Sequence, residues 1–218
     1  FVQVADALRR GEVGDGAADD RRDRQSHIGF LRIVVAVDCG ESCEVERVTC
    51  DTDKRGQFLS DTEIMAKRFE ELGTAEAIKP YQIGPARIQF QNKDPRGFAH
   101  FCAEFAKHSA LGSGNTLRGV QARRPTIQSL EKGLSKMKVP LHMVSGDEDN
   151  NCLEPSVFIK RVCPSAMLTV VPNTGHAVNL EEPDFFNRIT AEFLAQVDSG
   201  QWRSRDPRYF NPSTMAKR

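Results

Sequence analysis

The chain has 218 residues, 39% hydrophobic and 28% charged, which is enough apolar material for one packed domain and too much for wholesale disorder. Its 30 Lys and Arg balance its 30 Asp and Glu, so it carries none of the cationic surplus that holds a nucleic-acid partner. No apolar run approaches the ~20 residues that span a membrane.

Phe1 opens the sequence without a basic-then-apolar leader, and the expectation is a cytoplasmic protein whose amino-terminal part lies upstream. Residues 1–29 read as a loose polar segment. Between 9 and 27 only Val13, Ala17 and Ala18 are aliphatic, too few to offset ordering of the backbone. Residues 30–57 form a core strand and loop: Ile33-Val34-Val35-Ala36-Val37 is a β-branched run suited to a strand buried on both faces, and Asp38-Cys39-Gly40 ends it.

Residues 58–138 read as helical. Ser60-x-x-Glu63 has the form of a capping box, followed by Ile64, Met65, Phe69 and Leu72 on one face until Gly73. Asp94-Pro95 reads as an N-cap and first-turn proline, ahead of Phe98, Phe101, Cys102 and Phe105 at i, i+3, i+4, i+7. That stripe suits core packing better than a pocket lining. Pro125 opens a third helix, with Ile127, Leu130 and Leu134 inward. Gly112-Ser113-Gly114 lacks the Gly-Lys-Ser/Thr of a phosphate loop. Arg118, Arg123 and Arg124 read as a solvated helix end, with an anion clamp as the alternative.

From residue 139 to 200 strands and helices alternate. Leu141–Ser145 reads as a strand, Gly146 to Asp149 as a turn and Pro155 to Cys163 as a helix. Leu168–Val171 is a second strand, with a loop from Pro172 to His176. Pro183 then opens a helix carrying Phe185, Ile189, Phe193 and Val197 at every fourth position. A strand–helix–strand unit of this kind makes two neighbouring parallel strands. Residues 201–218 are a polar tail. The six cysteines, at 39, 43, 50, 102, 152 and 163, show neither CxxC spacing nor a histidine at ligand spacing. They read as reduced thiols, and no metal or cofactor is expected.

Ligands of an open parallel sheet gather at the carboxyl ends of its strands. Asp149 follows the first strand of the pair and His176 the second. A carboxylate there can hold one imidazole nitrogen and leave the other as a general base.

These residues resemble a family. PLHMVSGDED, with Gly146 and Asp149, is similar to the acid turn of α/β-hydrolases. NTGHAVNLEEPDFF, with Gly175, His176, Glu181, Pro183 and Phe186, is similar to their His loop. The resemblance runs from about Leu31 to Arg208: RIVVAVDCG is similar to the strand after the nucleophile helix, and 58–136 to the cap. It implies an α/β class fold, a partial doubly wound, mostly parallel sheet with an inserted helical cap. It also implies serine-type hydrolysis of an ester or related carbonyl bond in a small-molecule substrate, with Asp149 as acid and His176 as base. The family's elbow, Gly-x-Ser-x-Gly, is not found. The nearest stretch, Gly40-Glu41-Ser42-Cys43-Glu44, has Glu44 in place of the second glycine, and Ser113 and Ser145 lie in the wrong elements. The expectation is therefore a truncated carboxyl-terminal half that retains acid and base and associates with itself through a bare sheet edge. The alternative is a non-catalytic remnant or association module.

Overall fold

The computed structural model describes residues 33–36, 52–210 and 213. The expected loose segment at 1–29, the loop after the first strand, and Ser42 and Cys43 lie outside them. Three described strands form one parallel sheet in the order β1 (Ile33–Ala36), β2 (Leu141–Gly146), β3 (Ala166–Val171). β2 lies in the middle. Leu141–Val144 pairs with β1, and all of β2 pairs with β3, from Leu141 opposite Ala166 to Gly146 opposite Val171. The two parallel neighbours expected from the alternating pattern are thus present.

The chain between β1 and β2 is helical. α1 (Thr52–Leu72) starts earlier than the sequence suggests, so Ser60 and Glu63 are interior positions and no capping box forms. The inward stripe shifts with it: Phe58, Thr62, Ala66 and Phe69 are buried, while Ile64 and Leu72 are exposed. Thr62 tolerates burial because its hydroxyl donates to the Phe58 carbonyl, 2.7 Å away. α2 (Ile88–Lys93) and α3 (Pro95–Phe105) follow, and the Asp94 carboxylate caps α3 by accepting from the Gly97 amide. α4 (Ala110–Thr116), capped by Ser109, runs into a π-helical turn at Leu117–Gln121. Gly112-Ser113-Gly114 is therefore helix, not a loop. The helix expected after Pro125 is reduced to short turns at Gln128–Leu130 and Glu131–Leu134, although Ile127 and Leu134 are buried as expected.

This segment has its own apolar centre, where Phe69, Ala77 and Ile78 meet Met65, Phe105, Ala110 and Leu117. The aromatic stripe of α3 serves packing: Phe98 and Phe101 meet Phe90 edge-on at 5.7 and 5.9 Å, and Phe105 meets Tyr81 at 5.8 Å.

After β2 come α5 (Asn150–Val162), β3, α6 (Val178–Glu181) and α7 (Pro183–Asp198). Successive side chains of a strand point to opposite faces. Leu141 and Met143 of β2 enter a core with Ile127, Leu134, Met137, Ile159 and Cys163. Val144 enters the other, with Val171, Val178 and Ile189. Both faces of β2 are covered, and all six of its residues are buried. α5 begins at Asn150 rather than Pro155, and Pro155 lies inside it. The buried set Cys152, Pro155, Ser156 and Ile159 outweighs the backbone bond that the proline forgoes. The described stretch of the expected polar tail, residues 201–210, is docked at Trp202 and Arg205. Trp202 packs edge-on to Phe193 at 4.6 Å and donates to the Ser165 carbonyl, and Arg205 donates to the Cys163 carbonyl at 2.7 Å. No described helix is long and apolar enough to cross a membrane.

Candidate active site

The turn after β2 and the loop after β3 leave the same end of the sheet. They are sewn together through backbone. The Asp147 amide donates to the Val171 carbonyl at 3.0 Å, the Glu148 amide to the Thr174 carbonyl at 3.0 Å, and the Thr174 amide to the Asp147 carboxylate at 3.1 Å. This closeness is why residue 146 is glycine. A Cβ there would lie 2.1 Å from the Thr174 carbonyl oxygen and 2.2 Å from that of Gly175, both backbone atoms that cannot swing aside.

Asp149 stands at the N-cap position of α5, where its carboxylate would ordinarily bond the helix amides. It makes no such bond. Instead Asp149 Oδ2 lies 2.6 Å from His176 Nδ1. A carboxylate can only accept, so a neutral imidazole here carries its proton on Nδ1 and its lone pair on Nε2. The pair is shielded, with side-chain exposures of 10% for His176 and 3% for Asp149, so its hydrogen bond acts in a low dielectric.

His176 is held by its neighbours as well. Glu181 is buried, and its carboxylate takes the amides on both sides of the histidine, Gly175 at 2.7 Å and Ala177 at 3.0 Å. The helical segment reaches the loop from above: the His176 amide donates to the Ala86 carbonyl at 2.8 Å. A Cβ at Gly175 would lie 2.3 Å from that same oxygen. Lys93 of α2 donates to Thr174 Oγ1 at 3.2 Å and pairs with Glu182 at 2.6 Å, and Gln89 donates to Glu148 at 2.9 and 3.0 Å.

No family model matches the chain. Over 92 residues it is 26% identical to a Bacillus subtilis (strain 168) protein provisionally assigned as a 2-succinyl-6-hydroxy-2,4-cyclohexadiene-1-carboxylate synthase, covering 42% of this chain and 32% of that one. Among solved structures, MenH from S. aureus matches with a TM-score of 0.61 at 18% identity, over 67% of this chain and 54% of that one. A thermophilic esterase from Thermogutta terrifontis matches with a TM-score of 0.54 at 21% identity, over 65% and 51%. The chain carries part of the α/β-hydrolase fold. It spans about a third of the length of the curated relative and about half of each solved structure.

Within this hydrolase fold, both expected site residues, Asp149 and His176, are brought together. Ser145 is not, being buried in β2 with its hydroxyl on the Gly146 carbonyl, and Ser113 lies within α4. The anion-clamp alternative fails for Arg118, whose guanidinium engages Glu63 at 2.8 and 3.0 Å and also Glu70. Hydrogen bonding to Arg118 holds both carboxyls below the usual carboxylate range. In the sequence Glu181 stands out only as part of a pattern, and Ala86, Gln89 and Lys93 do not stand out at all. A backbone carbonyl and two common polar side chains leave no signature along a chain. Nor does Cys152, whose Sγ lies 3.8 Å from His176 Nδ1, because a separation of 24 positions matches no ligand spacing.

Proposed function

We propose that Asp149 and His176 are the acid and base of a serine-hydrolase triad acting on an ester or related carbonyl bond of a small molecule. The observation that carries this is the buried 2.6 Å contact between Asp149 Oδ2 and His176 Nδ1, made by a residue that forgoes helix capping to make it. In this reading His176 Nε2 takes the proton of a serine hydroxyl as the oxygen attacks the carbonyl. It later returns that proton to the leaving group. Asp149 fixes the tautomer and stabilises the imidazolium. Residues 58–138 act as a cap over the site, joined to the His loop through Ala86 and Lys93 and to the acid turn through Gln89. The nucleophile lies outside the described residues, either at Ser42 or in an amino-terminal half on a separate chain. Free Cys102 and Cys163 fit a reducing compartment such as the cytoplasm. Self-association through the outer edge of the sheet belongs to the same reading.

A second reading rests on the absence of any Gly-x-Ser-x-Gly pentapeptide in the sequence: a non-catalytic remnant or association module that keeps the fold. Fluorophosphonate labelling and nitrophenyl-ester turnover separate the two, with the chain alone and mixed with an amino-terminal hydrolase half. The triad reading expects turnover in one of these settings, reduced about 10⁴-fold by Asp149→Asn. Loss of labelling in Ser42→Ala assigns the nucleophile to this chain. No labelling and no turnover in either setting sinks the hydrolase and leaves the remnant.

A further inference from the structure

Three atoms of metal-ligand type converge beneath the His loop. His176 Nδ1 lies 2.6 Å from Asp149 Oδ2 and 3.8 Å from Cys152 Sγ, and the three side chains offer ligand atoms all within 4.8 Å of one another. Asp149 is 2% exposed and Cys152 1% exposed. The second carboxylate oxygen, Asp149 Oδ1, is buried without a hydrogen-bond partner among the described residues. A buried carboxylate oxygen left without a donor is destabilising, and a cation beside it removes that penalty. The acid–base pair has no use for the thiol, which α5 nevertheless brings to the same point from its first turn.

We propose that Asp149, Cys152 and His176 form a binding site for a soft divalent cation of the zinc type, and that occupying it switches the acid–base pair off. Thiolate sulfur, imidazole nitrogen and carboxylate oxygen are the donors zinc takes, at roughly 2.0–2.3 Å. Tetrahedral bonds of those lengths put neighbouring ligand atoms roughly 3.3–3.6 Å apart. The sulfur–nitrogen separation of 3.8 Å is close to this, while the oxygen–nitrogen separation of 2.6 Å must open by less than about 1 Å, or Oδ1 must turn in. The protons balance simply. Cys152 loses its thiol proton to solvent as sulfur binds the cation. His176 keeps one proton, which moves from Nδ1 to Nε2 as Nδ1 becomes a ligand. An Nε2 that carries a proton is no base. The site itself stands without the triad reading; the switching rests on it.

Cobalt(II) is the probe, because a thiolate ligand gives it a near-ultraviolet charge-transfer band. Titration of the full reduced chain is expected to saturate at one equivalent with that band. Binding should weaken at least tenfold in Cys152→Ser and in His176→Gln, and persist when Cys39, Cys43 and Cys50 are all changed to Ser. Circular dichroism melts establish that each variant is folded. X-ray absorption on the zinc-loaded wild-type chain, showing one sulfur among the ligands, supports the same site without any variant. No charge-transfer band, a band that survives Cys152→Ser, or a band lost in the triple variant overturns the site. Zinc is then added to the ester assay and removed with EDTA. Turnover that falls and recovers supports the switch, and turnover unchanged at saturating zinc overturns it. A cobalt spectrum as expected, with no turnover in metal-free protein, leaves the site standing and counts against the triad.

Discussion

The acid turn and the His loop are joined through backbone, whereas the helical segment is joined to itself mainly through side chains. Around Gly146 and Gly175 the carbonyls of residues 86, 174 and 175 stand where any Cβ would go. On α1, by contrast, Gly56 has nothing within 4 Å, and the ion pairs tying α1 to the π-helical turn, Glu63 and Glu70 with Arg118, lie at the surface. Exposed ion pairs add little to stability. A side chain added at Gly146 or Gly175 therefore meets backbone that holds the His loop, whereas one added at Gly56 meets open space.

The strongest way to break this comparison is Gly146→Ala. The added methyl meets fixed backbone atoms, so the His loop must lift, at a cost of about 2–3 kcal/mol. Urea denaturation should show the loss, and the downfield proton resonance of His176 Nδ1 should move or vanish. An unchanged midpoint with an unchanged resonance would show that the loop has slack after all. Gly175→Ala, against the Ala86 carbonyl, should behave alike and would also loosen the helical segment from the loop.

The same contrast decides what was legible in the sequence. Around the sheet, apolar runs and turn residues match one local requirement each, so β2, β3, α7 and the Asp149–His176 pair could all be read. Around α1 they do not. Ser60-x-x-Glu63 has the form of a start signal, yet the helix runs from Thr52, because Phe58 finds burial and extends the inward stripe. Pro155 misled in the same way, since packing of α5 overrode a local stop. Contacts made by carbonyls, such as Ala86 with His176, are invisible to any pattern of side chains. The tail shows the converse: its composition is polar, but one indole settles its position against Phe193 and His142.

His142 sharpens the comparison from the sheet side. It is buried in β2, its Nε2 is 2.9 Å from Thr169 Oγ1, and burial pushes its pKa below the ordinary histidine value. The unfolded chain takes up this proton near pH 6.5, before the folded one does. Unfolded protein then binds more protons, so stability rises with pH through this window. The contribution is fully present above the unfolded value and is lost as pH falls from about 7 towards the lowered folded value. Melts between pH 7.5 and 5.5 should show the decline, with a shallower slope in His142→Gln. Equal slopes in the two proteins would place the sensitivity elsewhere.

The smallest effect comes from the tolerant region. Gly56 lies within α1, exposed and with open space where its Cβ would go. Alanine there reduces the freedom of the unfolded chain and adds no contact, so Gly56→Ala should stabilise by about 0.5–1 kcal/mol. The gain matters for its sign rather than its size. The same exchange of glycine for alanine should lower the urea midpoint at 146 and raise it at 56. If Gly56→Ala lowers it too, α1 is as tightly specified as the sheet edge, and the division between a backbone-locked site and a yielding helical segment fails.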